Sequence, residues 1–327
     1  MAAKTLEPSS ANGKLPARTP TIGLALGGGG ARGLAHIAML EAFDELGLKP
    51  NVIAGTSIGA LYGAAYASGI PGRDLREHTR YILSQRLGLI RDLFVRTAQP
   101  FQRLLSVFGA RSAILDPATV LDVILPREVK ETFAECEIPL KIVASDFYDQ
   151  EPKIFTEGRL RTAVAASMAL PVIFQPVIFE GRALIDGGLT NPLPFDLLLP
   201  ETDIVVAIDV SGAPVPDPRR VAPTAFAALF SSAFLFERTI VREKLKARQP
   251  DILISAGTSQ FQVLDFLKCD DILAAAEPAK ERLKQQLSRV LSVETLPVLE
   301  SVHTETQPIL PAKRKKRRLL PRPRKEP

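Results

Sequence analysis

The sequence has few of the residues that build cross-linked or metal-bound proteins. Its 327 residues include two cysteines, three histidines and no tryptophan. Two cysteines do not make a disulfide framework, and the scattered histidines form no spaced ligand set. We therefore expect no metal and no other cofactor. The N-terminal stretch also lacks the apolar core of a signal peptide, which together with the low cysteine content predicts a reducing, cytoplasmic location.

Long apolar runs are missing as well. The uncharged segments 50–72 and 162–179 are interrupted by glycine, proline and serine. Neither supplies the roughly 20 predominantly apolar residues that span a bilayer. The most helix-like apolar segment, 221–236, is short and contains a proline. We interpret it as a buried or interfacial helix, so the sequence predicts no transmembrane segment.

Positive charge is concentrated at one end of the chain. The net charge is +5, yet residues 313–327 hold nine lysines and arginines and one glutamate, which leaves 32 basic and 35 acidic residues elsewhere. We expect the basic tail, 301–327, and the polar N-terminus, 1–19, to be disordered. The Lys313–Lys325 stretch either contacts anionic lipid on the inner membrane face or only solubilises the chain. We expect no specific nucleic-acid partner.

Between these ends, at 20–300, short apolar strand patterns alternate with helical patterns. This alternation predicts one α/β domain with a mostly parallel central sheet and helices on both faces. An irregular segment, 72–135, interrupts the alternation and mixes apolar residues with arginine. Because Pro100 interrupts its middle part, 86–109, one helix cannot cover that part, and we expect two amphipathic helices there. They form either a cap packed on the sheet or a lid that rests on a membrane.

The stretch "GTSIG" has the form G-x-S-x-G, with Gly55, Ser57 and Gly59. It follows a short apolar run and precedes a helical pattern. This is the context of a nucleophile elbow, in which a serine sits on a tight turn between strand and helix. Glycine on both sides lets the backbone bend. The alternative is a helix-capping serine in an ordinary turn; the strand–turn–helix context favours the nucleophile.

A base for this serine is not found among the histidines. Only His303, near the basic tail, fits the order serine, acid, histidine. The stretch "ALIDGG" instead places Asp186 at the end of a predicted strand, and a carboxylate there can accept the serine proton if its pKa is suitable. Gly187 and Gly188 allow a sharp turn beside the serine. An Asx-type turn is the alternative interpretation of Asp186.

The stretch "GGGGARG" follows the first predicted strand. Gly28, Gly30 and Gly33 fit a dinucleotide-binding pattern, but the acidic residue expected about 20 positions on is absent, and so is a Walker motif. Acyl transfer instead needs backbone N–H groups that stabilise an oxyanion. Gly28, Gly29 and Gly30 are suited to present them, and Arg32 is suited to brace the loop.

These three motifs, in this order, resemble the patatin-like phospholipase family, in particular its compact bacterial members. The resemblance covers about residues 20–285. It implies a three-layer α/β/α sandwich with a mostly parallel sheet, and hydrolysis of phospholipid or lysophospholipid acyl esters without a metal. It also implies Ser57 as nucleophile, Asp186 as base, and an oxyanion hole from Gly28, Gly29 and Gly30 supported by Arg32. A general carboxylesterase or thioesterase, a non-catalytic regulatory protein on the same fold and a nucleotide-binding protein stay open as alternatives.

Overall fold

The computed structural model describes residues 19–85, 115–212, 222 and 225–294. The predictions of a disordered N-terminus and a disordered basic tail therefore lie outside the described residues. The same holds for the central part of the 72–135 segment.

The described part of the chain forms eight strands and seven α-helices. The strands are β1 (Ile22–Leu26), β2 (Val52–Thr56), β3 (Leu140–Asp146), β4 (Pro152–Phe155), β5 (Val177–Phe179), β6 (Arg182–Asp186), β7 (Ile204–Asp209) and β8 (Ile252–Ser255). The helices are α1 (His36–Glu45), α2 (Ile58–Ala67), α3 (Gly72–Gln85), α4 (Pro117–Ile124), α5 (Leu160–Ser167), α6 (Ala225–Ala247) and α7 (Cys269–Glu294).

The strands join in one sheet. Five of them, in the order β3-β2-β1-β7-β8, are parallel, whereas β4 and β6 pair antiparallel with β3, and β5 pairs antiparallel with β6. The predicted mostly parallel sheet is thus confirmed. The motifs did not predict β4 and β5: β4 begins with Pro152, a residue that strands usually exclude, and β5 is only three residues long.

Alternation along the strands separates two cores. On β1, Leu24 and Leu26 belong to the larger core, and Ala25 belongs to the smaller core on the opposite face. Helices α1, α2, α5 and α7 pack into the larger core. The smaller core packs against Val241 of α6 and the segment that contains Phe195. Helices therefore cover both faces, which confirms the predicted α/β/α sandwich.

Strands β2 and β6 meet end to end along one edge of β3. Both β2 and β4 pair with Val143, so β2 and β4 lie on opposite edges of β3. Both β4 and β6 pair with Ala144, so β4 and β6 also lie on opposite edges of β3. Consequently β2 and β6 share an edge. Thr56, the last residue of β2, pairs with Val143, and Asp186, the last residue of β6, pairs with Ala144. The topology thus brings the residue after β2 next to Asp186.

The two described ends of the 72–135 segment are helical, as α3 and α4. They are tied together because His78 Nε2 donates to the carbonyl of Ile124 at 3.0 Å. The apolar segment at 221–236 falls largely within α6, which continues to Ala247. Among the helices within the described ranges, none combines the length and apolarity needed to cross a bilayer.

Candidate active site

Ser57 occupies a strained turn between β2 and α2. Its backbone has φ 55° and ψ −122°, a left-handed conformation that costs a non-glycine residue about 1–3 kcal/mol. A Cβ on Gly55 would lie 2.6 Å from the carbonyl oxygen of Gly59, and one on Gly59 would lie 2.2 Å from that of Leu26. The glycines of "GTSIG" are therefore sterically required by the turn.

Asp186 accepts a hydrogen bond from this serine. Ser57 Oγ donates to Asp186 Oδ2 at 2.6 Å, and the N–H of Gly188 donates to Oδ1 at 2.7 Å. A Cβ on Gly187 would lie only 2.1 Å from the carbonyl oxygen of Val143, so the chain passes close against β3 here. Burial raises the pKa of Asp186 to about 6. The hydrogen bonds donated by Ser57 and Gly188 act in the opposite direction and lower this pKa, but burial has the larger effect. The carboxylate is thus charged at neutral pH and more basic than an exposed one.

Ser167, at the end of α5, links the strained turn to β3 through two hydrogen bonds. The N–H of Ser57 donates to Ser167 Oγ at 2.8 Å, and Ser167 Oγ donates to the carbonyl of Val143 at 2.6 Å. Ser167 is fully buried. The motifs did not identify this residue, since its contact with Ser57 depends on the packing of α5 against β3.

The glycine loop passes directly beside Ser57. A Cβ on Gly28 would lie 3.5 Å from the Cβ of Ser57. The N–H of Gly28, however, donates to the carbonyl of Pro192 at 2.9 Å and so is already committed within the protein. The N–H groups of Gly29 and Gly30 make no hydrogen bond within the part of the chain that the structure describes. Of the three predicted donors, these two are available to a ligand.

The rest of the "GGGGARG" stretch packs into the protein. A Cβ on Gly33 would lie 2.1 Å from Ile58 Cγ2, so this glycine allows close contact with α2. Arg32 is 3% exposed, and its Nε donates to the carbonyl of Gly29 at 3.3 Å. Its guanidinium lies 5.8 Å from the centre of the Phe234 ring. Arg32 thus lies behind the loop and bonds to it.

The histidines that the structure describes have other contacts. His36 is fully buried with Nε2 2.8 Å from the carbonyl of Gly27, and burial lowers its pKa to about 4. It is therefore neutral at pH 7 and donates to the glycine loop. His78 bonds to Ile124, and His303 lies outside the described residues. Across the described ranges, no three His, Cys, Asp or Glu side chains are grouped so as to hold a metal ion.

Ser57 and Asp186 lie in the wall of a cleft. Its empty volume, counted out to open solvent, is about 1280 Å³. The glycine loop and these two residues form a polar end. The remaining walls are mainly apolar and come from α2, α3, α4, α6 and two loops; they include Leu61, Ile82, Val120, Ile124, Ile173, Phe174, Phe234, Val263 and Phe266. The site therefore combines a small polar end with mainly apolar walls.

A second buried carboxyl, Glu237 of α6, lines the same cleft. A Cβ on Gly188 would lie 2.7 Å from Glu237 Oε1 and 3.1 Å from Asp186 Oδ1, so the two carboxyls flank the same glycine. Burial and the charge of Asp186 raise the pKa of Glu237 to about 8, although Arg32 lowers it. Glu237 lies 51 residues beyond Asp186 on a helix without a recognisable motif, and no signal in the sequence points to it.

The fold and this site define a class: α/β/α proteins in which a serine on a strand–helix turn is paired with an aspartate instead of a histidine. The family model "Patatin-like phospholipase" matches residues 24–199. The chain belongs to the patatin-like phospholipase family.

Individual relatives match parts of the chain. An uncharacterized NTE family protein of Mycobacterium tuberculosis is 31% identical over 233 residues, which cover 69% of this chain and 61% of that protein. Patatin-like phospholipase domain-containing protein 7 of Rattus norvegicus is 30% identical over 192 residues, or 58% of this chain and 13% of that protein. The crystal structure of VipD from Legionella pneumophila matches with a TM-score of 0.46 at 16% identity. The match covers 83% of this chain and 67% of the VipD chain. The chain thus spans only part of each relative's length.

Proposed function

We propose that this protein is a serine acyl hydrolase that cleaves fatty-acyl esters of phospholipids or lysophospholipids. The observation that carries the proposal is the 2.6 Å hydrogen bond from Ser57 Oγ to the buried Asp186, made from a strained turn at the polar end of an apolar cleft. Family membership supports the same chemistry.

In the first half of the reaction, Asp186 takes the hydroxyl proton as Ser57 Oγ attacks the ester carbonyl. A general base is most effective when its pKa is near the working pH, and the raised pKa of Asp186 moves it in that direction. The carbonyl oxygen becomes an oxyanion, which the N–H groups of Gly29 and Gly30 stabilise. Arg32 keeps these donors in place through its bond to the Gly29 carbonyl.

In the second half, Asp186 returns the proton to the departing alcohol, so that an acyl ester on Ser57 remains. Asp186 then takes a proton from water as the water attacks the acyl carbonyl. The fatty acid leaves, and Ser57 Oγ regains its proton. No step needs a histidine, and His36 and His78 are both engaged with backbone carbonyls.

The lining of the cleft favours a long acyl chain over a short acid. Burial of each methylene group stabilises a bound chain by about 0.8 kcal/mol, provided that the walls are apolar. A carboxylesterase or thioesterase would use the same dyad with a different leaving group, so substrate profiling separates these activities. A non-catalytic role is disfavoured because it gives no reason to keep Ser57 in a costly conformation.

The proposal is tested by probe labelling and lipid hydrolysis. A fluorophosphonate probe should label the wild-type protein and Asp271→Asn, a variant of an exposed aspartate on α7, but not Ser57→Ala. A panel of phospholipids, lysophospholipids, acyl thioesters and short esters, resolved by mass spectrometry, should show release of fatty acid from the lipids. Asp186→Asn should lower kcat/KM by at least about 1000-fold, in line with loss of a catalytic base.

Two results would contradict the proposal. Near-normal hydrolysis by Asp186→Asn would remove the dyad mechanism. Equal hydrolysis by wild-type protein and Ser57→Ala, both shown to be folded by circular dichroism, would remove serine catalysis altogether.

A further inference from the structure

The cleft holds two buried carboxyls, and the proposed reaction uses only one. Glu237 is 5% exposed, and its Oε1 lies beside Gly188, close to Asp186 Oδ1. Oδ1 is the oxygen that accepts from Gly188, whereas Oδ2 accepts from Ser57. Glu237 therefore lies near the Oδ1 oxygen of Asp186, whereas Ser57 bonds to the other oxygen.

The surroundings decide which carboxyl carries charge. The titratable groups that face Glu237 are Asp186 and Arg32; Arg32 in turn lies near Asp209, at the end of β7, and Arg238 of α6. Asp186 accepts two hydrogen bonds, but Glu237 accepts none from the part of the chain that the structure describes. Donated hydrogen bonds stabilise a carboxylate, so the negative charge belongs on Asp186 and Glu237 stays neutral at pH 7.

The helix that carries Glu237 is fixed to the loop that follows Asp186. Two turns further along α6, Lys244 Nζ donates to Asn191 Oδ1 at 2.6 Å and to the carbonyl of Leu193 at 3.1 Å, and it forms an ion pair with Asp196. The carbonyl of Asn191 also accepts from Thr56 Oγ1 at 2.8 Å. The distance between the two carboxyls is thereby set by the fold.

We propose that Glu237 is a positioning residue that acts through Asp186: while neutral, it leaves a single negative charge at the dyad, and its ionisation turns the site off at alkaline pH. This inference rests on the proposed function. A charged Glu237 would oppose the oxyanion that forms at Gly29 and Gly30, because like charges repel strongly in a buried site. It would also compete with the glycine loop for Arg32.

The test is the pH dependence of kcat/KM on a soluble short-chain ester between about pH 5 and about pH 10. Ser57→Ala provides the blank for spontaneous hydrolysis, and Glu243→Gln is the matched control, since Glu243 lies on the outer face of the same helix with a 53% exposed side chain. Wild type and Glu243→Gln should lose activity above about pH 8. Glu237→Gln, normalised to its own maximum, should retain at least about tenfold more activity than wild type at about pH 9.5.

An alkaline limb that is the same in Glu237→Gln and wild type would overturn the inference. If Glu237→Gln does not fold, the wild-type protein decides: with carbon-13 in the glutamate carboxyls, one resonance should titrate near pH 8, and Asp186→Asn should move its midpoint down. If no glutamate titrates above the ordinary range, the inference fails. Equal activity of Ser57→Ala and wild type at every pH would instead reject the proposed function, and the carboxyl titration would still test the charge arrangement.

Discussion

The conformation of Ser57 depends on one buried hydroxyl. Among the described residues, Ser167 Oγ is the acceptor to which the Ser57 N–H donates, and a buried donor without an acceptor costs about 1–3 kcal/mol. Ser167→Ala should therefore let the turn relax and lower kcat by about 10- to 100-fold, while KM changes little because Ser167 does not line the cleft. Steady-state kinetics on a soluble ester measures both constants.

Ser68 provides a matched control for that variant. It is also buried, donates to the carbonyl of Ala64 at 2.8 Å and accepts from the N–H of Lys130 at 3.1 Å. Ser68→Ala should lower the melting temperature by a similar amount but leave kcat intact. Equal loss of kcat in both variants would mean that Ser167 acts only through stability.

Asp186 should also make the protein less stable as pH rises. The pKa of Asp186 is about 6 in the folded protein and near 3.8, the ordinary value of an aspartate, in the unfolded chain. Between these values the unfolded chain releases the proton while the folded protein keeps it. The stabilisation is therefore fully present below about pH 4 and is lost as pH rises through about 6, a change of about 3 kcal/mol.

Asp186→Asn removes this dependence. Relative to wild type, its melting temperature should rise by several degrees between about pH 4 and about pH 7. Asp271→Asn, on the exposed face of α7, should show no such trend. A constant difference across that range would contradict a raised pKa of Asp186.

At the level of elements, the meeting of β2 and β6 along β3 brings Ser57 and Asp186 into contact. The "GTSIG" and "DGG" motifs predicted both side chains because each motif is local: a tight turn and a strand end. Their contact is not local, since 129 residues separate them and only the shared register on β3 joins them. The sequence thus predicted the residues, and the sheet supplied their distance.

The motifs did not reveal those features of the site that depend on contacts between separate elements. Glu237 reaches the site from α6 and Ser167 from α5, and neither lies in a motif. The N–H of Gly28 is occupied by the carbonyl of Pro192, whose position depends on the loop after β6. A glycine-rich stretch predicts a backbone that is able to bend, but it does not predict which of its N–H groups are left without an acceptor in the protein and can bind a ligand.

Because α2 packs closely on β1, alanine substitutions at Gly59 and Gly63, two glycines of α2, should differ in their effect on stability. A Cβ on Gly59 would meet the carbonyl oxygen of Leu26 at 2.2 Å, which is backbone, whereas one on Gly63 would meet only side chains, at 3.3 Å or more. Alanine is favoured over glycine by about 1 kcal/mol inside a helix. Gly63→Ala should therefore be close to neutral in melting temperature, whereas Gly59→Ala should lower it and abolish activity. Similar melting temperatures for the two variants would show that α2 is free to shift.

At the level of the whole molecule, charge is divided between the fold and the tail. Residues 313–327 hold nine basic residues and one acidic residue, whereas the other residues hold 32 basic and 35 acidic residues. If the substrate is a membrane lipid, the slightly acidic remainder is repelled by an anionic bilayer and the tail is attracted to it. Each lysine or arginine near such a surface contributes about 1 kcal/mol, and salt screens the attraction. We therefore propose that the tail holds the enzyme on anionic membranes.

Replacing the lysines and arginines of 313–327 by glutamine keeps the length of the tail and removes its charge. In cosedimentation with phosphatidylserine-containing vesicles at low salt, this variant should bind at least about tenfold more weakly than wild type, and the difference should shrink as salt is raised. Vesicles of phosphatidylcholine alone should bind both proteins equally. Hydrolysis of a soluble ester should be the same in both, because Ser57, Asp186 and the cleft lie within the described residues. Equal binding to the anionic vesicles would mean that the tail only solubilises the chain, and contact with the bilayer would then have to come from the fold itself.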